Sequence, residues 1–182
     1  MIRKAFKSDL AEVIRLAKSL WNAHKEAELA QEFAKLLSDS NCAIFLMQSD
    51  GETVGFARCR LRHDYVEGTK SSPVGYPEDV YVDKLYRNRG YAKDLTAACE
   101  QWAKDKGCSE FAGDCEEGNT ESLHFHLSEG FSVANKIICF VKTSNNICII
   151  NIYRIYLYIR RKILSLRFSL HAKKLKTAIG FA

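Results

Sequence analysis

The most constraining feature of this chain is a change of period around residue 90. Residues 74–82, ending in Val80-Tyr81-Val82, are rich in β-branched and aromatic side chains and read as a strand. Residues 91–106 put Leu95, Ala98, Cys99 and Trp102 on one face and read as an amphipathic helix, stopped by Gly107. Between them lies Arg87-Asn88-Arg89-Gly90-Tyr91-Ala92. A strand that leads into a helix start aims unsatisfied backbone N–H groups and the positive end of the helix dipole at one spot. A diphosphate can accept those bonds. Gly90 removes the Cβ that would hold a phosphate away, Ala92 is small, and Arg87 and Arg89 add charge. Asn88, Tyr91 and Lys93 share this stretch and count among the candidate anion-binding residues.

The rest of the chain alternates strands and helices. Residues 2–6 read as a strand, and Ser8 or Asp9 caps a helix carrying Leu10, Val13, Ile14, Ala17, Leu20 and Trp21 at helical spacing. A second helix is expected over 26–37, a strand over 42–48, a turn at Ser49-Asp50-Gly51-Glu52 and a return strand over 53–63. After the long helix come a short strand over 110–114, a short helix over 119–129 closed by Gly130, and strand-rich residues 131–142. This order predicts an α+β domain around a mixed sheet.

Charge divides the chain unevenly. Residues 143–182 hold eight of the 27 basic residues and no acid, which leaves residues 1–142 with 19 basic against 22 acidic residues, net −3. A mildly acidic body argues against nucleic acid as a partner and suits a cationic substrate. The seven cysteines are odd in number and form no C-x-x-C pair, and no basic-then-apolar leader follows Met1. Reduced thiols, a cytoplasmic location and no metal site are expected. No uninterrupted apolar run reaches the roughly 20 residues that span a bilayer.

On these residues the sequence resembles the GNAT superfamily of N-acetyltransferases, whose coenzyme A loop is Arg87-x-x-Gly90-x-Ala92 after a strand. Asn119, Ser122, Phe125, His126, Gly130 and Phe131 are similar to the later helix of that superfamily, which also lines the cofactor. Leu20-Trp21 with His24, Arg62-His63-Asp64-Tyr65-Val66-Glu67-Gly68, Ser71-Ser72-Pro73-Val74, Glu78 and Glu110-Phe111-Ala112-Gly113-Asp114 narrow the likeness to the aminoglycoside 6′-N-acetyltransferases. The resemblance covers residues 2–142. It implies the GNAT fold, a central, mostly antiparallel sheet flanked by helices, with acetyl-CoA as co-substrate, an aminoglycoside as acceptor and a homodimer. Residues 1–142 are then one N-acetyltransferase domain.

Against the acid-rich second half of the body, a polycationic acceptor finds carboxylates for charge-assisted hydrogen bonds and aromatic faces for its cations. Glu78 and Asp114 match substrate-binding positions of the resembled family, and Trp21, His24 and Tyr65 fit its substrate wall. Asn135 falls where that family usually carries an acid, and the amide departs from the pattern. Direct acetyl transfer needs no nucleophilic residue. Either Glu78 or Asp114 is the candidate base, a backbone N–H near residues 80–82 the candidate oxyanion donor, and His126 the candidate acid. A transferase acting on another amine (polyamine, peptide or metabolite) and a non-catalytic acyl-CoA sensor remain as alternatives. Residues 143–182, a basic extension beyond the resemblance, have three readings: a docked extra element, a membrane-touching amphipathic segment, or an extension without function.

Overall fold

A computed structural model describes residues 1–143. The chain divides into two units, Met1–Lys136 and Ile137–Ala182. The described residues of the second, 137–143, form no helix or strand.

In the first unit, β1 (Ile2–Lys4), β2 (Cys42–Ser49), β3 (Glu52–Arg62) and β4 (Val74–Val82) form an antiparallel sheet in chain order. Helices α1 (Leu10–Leu20) and α2 (Glu26–Leu36) cover one face, and α3 (Tyr91–Asp105) covers the other. A fourth helix, α4 (Thr120–Ser128), follows. Because both faces are covered, β2 is apolar at consecutive positions. Cys42, Ile44 and Leu46 meet Val13, Leu16, Leu29 and Phe33, whereas Ala43 and Met47 meet Leu95, Cys99 and Trp102. Phe33 and Phe56 are fully buried edge to face, 6.3 Å between centroids. Truncating either to alanine costs about 3–5 kcal/mol. The six described cysteines are free thiols, and burial pushes Cys42 up to about 11. Among the described residues no helix is long and apolar enough to cross a membrane.

Two expected strands are reduced. Residues 110–114 contribute a single parallel bridge, Gly75 to Phe111, in which Gly75 N–H donates to Glu110 O at 3.1 Å and Ala112 N–H to Gly75 O at 3.0 Å. Beyond Ala112 the chain leaves β4. Residues 131–143 form no strand: strand-like composition needs a neighbouring backbone to pair with.

The β3–β4 ladder carries one irregularity that matters. Register passes from Arg58↔Asp79 to Cys59↔Pro77, leaving Glu78 as an extra residue on β4. This is a β-bulge, placed beside a proline that has no N–H for the ladder. Regular pleating would send Glu78 and Asp79 to opposite faces. Instead Asp79 pairs with Arg58 and Glu78 with Arg62, two arginines on one face of β3.

Candidate active site

A cleft of about 680 Å³ opens where β4 and the 110–114 segment diverge. Its lining runs from Pro77 through Val82, over the loop and first turn of α3, to Asp114 and α4.

At one end is the helix start. Gly90 takes φ +81° at the N-cap of α3, and no side chain caps the helix there. The first backbone bond of the helix joins Asp94 N–H to Gly90 O at 3.0 Å, so the N–H groups of Tyr91, Ala92 and Lys93 have no intrahelical partner. All three residues line the cleft. Asn88, with φ +59°, tightens the preceding turn. Arg87 Nε donates to Val82 O at 3.1 Å, which ties this loop to the edge of β4. Two ion pairs reach α4: Arg87 to Glu121 at 4.0 Å and Lys93 to Glu129 at 3.7 Å. Arg89 lies outside the lining, 5.0 Å from the Tyr86 ring.

The strand edge runs along the middle. Asp83 N–H donates toward β3, to Val54 O at 2.8 Å, so alternation turns the backbone groups of Val82 and Val80 to the cleft and those of Tyr81 to β3. Val82 O confirms the direction by accepting from Arg87.

Carboxylates gather at the far end. Glu78 and Asp114, the two candidate bases, both line the cleft. Arg62 donates to Glu78 Oε1 from Nη2 at 3.0 Å and from Nε at 3.3 Å. Its guanidinium lies 3.6 Å from the centroid of the Tyr76 ring. Burial and the Asp114 carboxylate push the Tyr76 phenol upward, so it stays protonated. Asp79, with its side chain 8 % exposed, also lines the cleft and is bonded to Arg58. Burial pushes it up to about 6 against the pull of Arg58.

His126 on α4 lines the cleft with Nδ1 2.7 Å from Ser122 O. A carbonyl only accepts, so Nδ1 carries a proton, and Nε2 lies toward Gly113. Asn119 spends its side chain on Ser122 N–H at 3.0 Å, capping α4 beside the cleft.

Besides Arg89, four expected residues stand apart from this lining. Trp21 is partly buried against Phe33 at 6.1 Å, beneath Arg58 at 5.9 Å. His24 is exposed, 6.5 Å from Trp21. Tyr65 is exposed and donates to Glu67 at 2.6 Å, and Asn135 Nδ2 donates to the other oxygen of Glu67 at 2.9 Å. Sequence reasoning did not single out Asp79, Tyr76 or Thr96 for the site, whereas Ser122 and Phe125, quoted for the later helix, line the cleft. For Asp79 the available signal was Pro77, which foretells a break in the ladder.

Comparison with known proteins follows this geometry. Residues 10–131 match the Acetyltransferase (GNAT) family. An aminoglycoside N(6′)-acetyltransferase type 1 of Salmonella enteritidis is 37% identical over 141 residues, covering 78% of this chain and 97% of the relative. One of Stenotrophomonas maltophilia is 39% identical over 140 residues, 76% and 90% of the two chains. The solved structure of AAC(6′)-Iy in complex with the bisubstrate analogue CoA-S-monomethyl-acetylneamine aligns with TM-score 0.76 and 36% identity, over 79% of this chain and 97% of that one.

Proposed function

This chain belongs to the acetyltransferase (GNAT) family, and from that premise we propose that it moves the acetyl group of acetyl-CoA directly to the 6′-amino group of an aminoglycoside antibiotic, giving drug resistance. The single observation that carries the reading is one cleft with an uncapped helix start at one end and Glu78 and Asp114 at the other. The open N–H groups of residues 91–93, with Arg87, Asn88, Arg89, Gly90 and Asn119 around them, suit the diphosphate of coenzyme A. The edge of β4 at Val80, Tyr81 and Val82 suits an extended, amide-bearing pantetheine arm.

The acceptor arrives as an ammonium resembling lysine, with a pKa of about 10.4, and must lose a proton before it attacks. Glu78 or Asp114 takes that proton, directly or through a water. A cleft-facing N–H of β4 donates to the carbonyl oxygen as charge develops on it. The leaving thiol has a pKa of about 8.5 and departs without acid help. With its Nδ1–H given to Ser122 O, His126 takes no step in this scheme, and the proton stays on the carboxylate base as the thiolate leaves. Trp21, His24, Tyr65 and Asn135 form the outer acceptor wall. Acetylation turns a charged donor of the drug into a neutral amide.

The test follows CoA thiol release with kanamycin-type, gentamicin-type and polyamine acceptors side by side. Turnover of the aminoglycosides is expected. Turnover of polyamines alone would make the acceptor wrong, and no thiol release with any amine would make the chain a sensor. The reading extends to a cytoplasmic homodimer, checked by light scattering of the purified protein and by cell fractionation. Residues 1–142 are the whole catalytic domain in this reading, supported by the 97% coverage of a relative by 141 residues of this chain. A protein ending at Lys142 is expected to keep acetylation at equal solubility. Residues 143–182 lie outside the described structure except for Thr143.

A further inference from the structure

Arg62 ends β3 and takes no step in the reaction above, yet it touches Glu78, a candidate base. Both of its contacts to Glu78 fall on one carboxylate oxygen, Oε1, at 3.0 and 3.3 Å. Among the described residues no hydrogen bond engages the other oxygen, Oε2. Glu78 is the bulged residue of β4, so the ladder does not dictate where its side chain points. Its side-chain partner does. On its other side Arg62 lies 3.6 Å from the centre of the Tyr76 ring, and Tyr76 is only 5 % exposed. One guanidinium thus links the bulged carboxylate of β4 to a buried aromatic ring of the same strand.

We infer that Arg62 is a positioning residue for the acceptor: flat on Tyr76, it holds Glu78 by one oxygen and leaves the other free to face the amine. The chemistry requires arginine. Only a planar fork can put two donors on one oxygen while its face lies on an aromatic ring. Lysine offers a single hydrated point charge. This inference rests on the proposed reading that Glu78 and Asp114 bind the acceptor.

The test measures Arg62→Met and Arg62→Lys in the full chain, each alone and combined with Glu78→Gln. Acceptor and acetyl-CoA KM, kcat and thermal midpoint are the readouts. Arg62→Met is expected to raise the aminoglycoside KM at least about ten-fold while acetyl-CoA KM stays within about two-fold. Arg62→Lys is expected to recover part of that loss. In the Glu78→Gln background, Arg62→Met should add less than about three-fold, because the group it positions is gone. An unchanged acceptor KM, an equal rise for both substrates, or full additivity with Glu78→Gln would overturn the inference. If Arg62→Met shows no cooperative unfolding, Arg62→Lys decides alone: a rise of about three-fold or more in acceptor KM supports the positioning role, and a wild-type value overturns it. A wild-type protein that acetylates no aminoglycoside sinks the functional reading instead.

Discussion

Replacing Gly90 with alanine tests whether the start of α3 is a phosphate cradle, because the structural cost and the functional cost of that change can be separated. At Gly90 the backbone has φ +81°, and an added Cβ would meet no heavy atom within 4 Å. The structural cost is therefore conformational alone. A left-handed alanine costs roughly 1–2 kcal/mol. The stiffer unfolded chain returns a few tenths to about 1 kcal/mol. A net loss of about 1 kcal/mol lowers the thermal midpoint by about 3 °C in a protein of this size. The functional cost is larger. The space the methyl enters is the cleft, beside the N–H groups of Tyr91, Ala92 and Lys93. Pushing a phosphate back by that methyl weakens charge-assisted hydrogen bonds worth about 1.5–3 kcal/mol, so acetyl-CoA KM should rise about ten- to hundred-fold. Gly107 supplies the control. It has φ +89° and equally open space, and it does not line the cleft. Gly107→Ala should match the fall in midpoint and leave acetyl-CoA KM within about two-fold. Calorimetry and thiol-release kinetics on the two variants decide it. If Gly90→Ala loses stability with an unchanged acetyl-CoA KM, the cradle is elsewhere.

Three further outcomes are expected. Glu78→Gln and Asp114→Asn should each lower kcat/KM for the aminoglycoside at least about ten-fold with little change in acetyl-CoA KM, and equal losses on both substrates would count against acceptor binding. Arg58→Met should destabilise the protein by about 3 kcal/mol or more at pH 8, read from urea midpoints, because Arg58 is 13 % and Asp79 8 % exposed and the carboxylate is left without its partner. Asp79 also predicts a pH slope. Its pKa rises from 3.8 to about 6 on folding, so the native protein binds a proton that the unfolded chain has released. That stabilisation is full below about pH 4 and is lost as pH rises through about 6. Stability should fall across this window, and Asp79→Asn should flatten the fall; an unchanged slope would refute the assignment.

How much of the site could be read in advance depended on how local its causes are. The helix-start end of the cleft was readable because residues 87–93 are contiguous, and the open N–H groups follow from one helix start and one glycine. The cover of both sheet faces was readable from the unbroken apolar run in β2. The far end of the cleft was readable only as a list of carboxylates. Glu78 and Asp114 could be named, but not the pairing of Arg62 with Glu78 or of Arg58 with Asp79. The expected strands over 110–114 and 131–142 failed for a related reason. Strand propensity reports how side chains pack against neighbours, and the first segment finds β4 for one bridge only.

The sequence by itself determined the alternation of elements, the helix start that can receive a diphosphate, and an acidic body distinct from its basic extension. These depend on neighbours within a few residues or on counting charge. Only the tertiary structure decided which groups share the cleft. The bulge at Glu78 turns two successive carboxylates to one face, Arg58 and Arg62 take one each, and Trp21, His24, Tyr65 and Asn135 stand outside the lining. Each of these outcomes depends on the register of β3 against β4, which is a long-range property: shifting it by a single residue exchanges every side chain between the two faces.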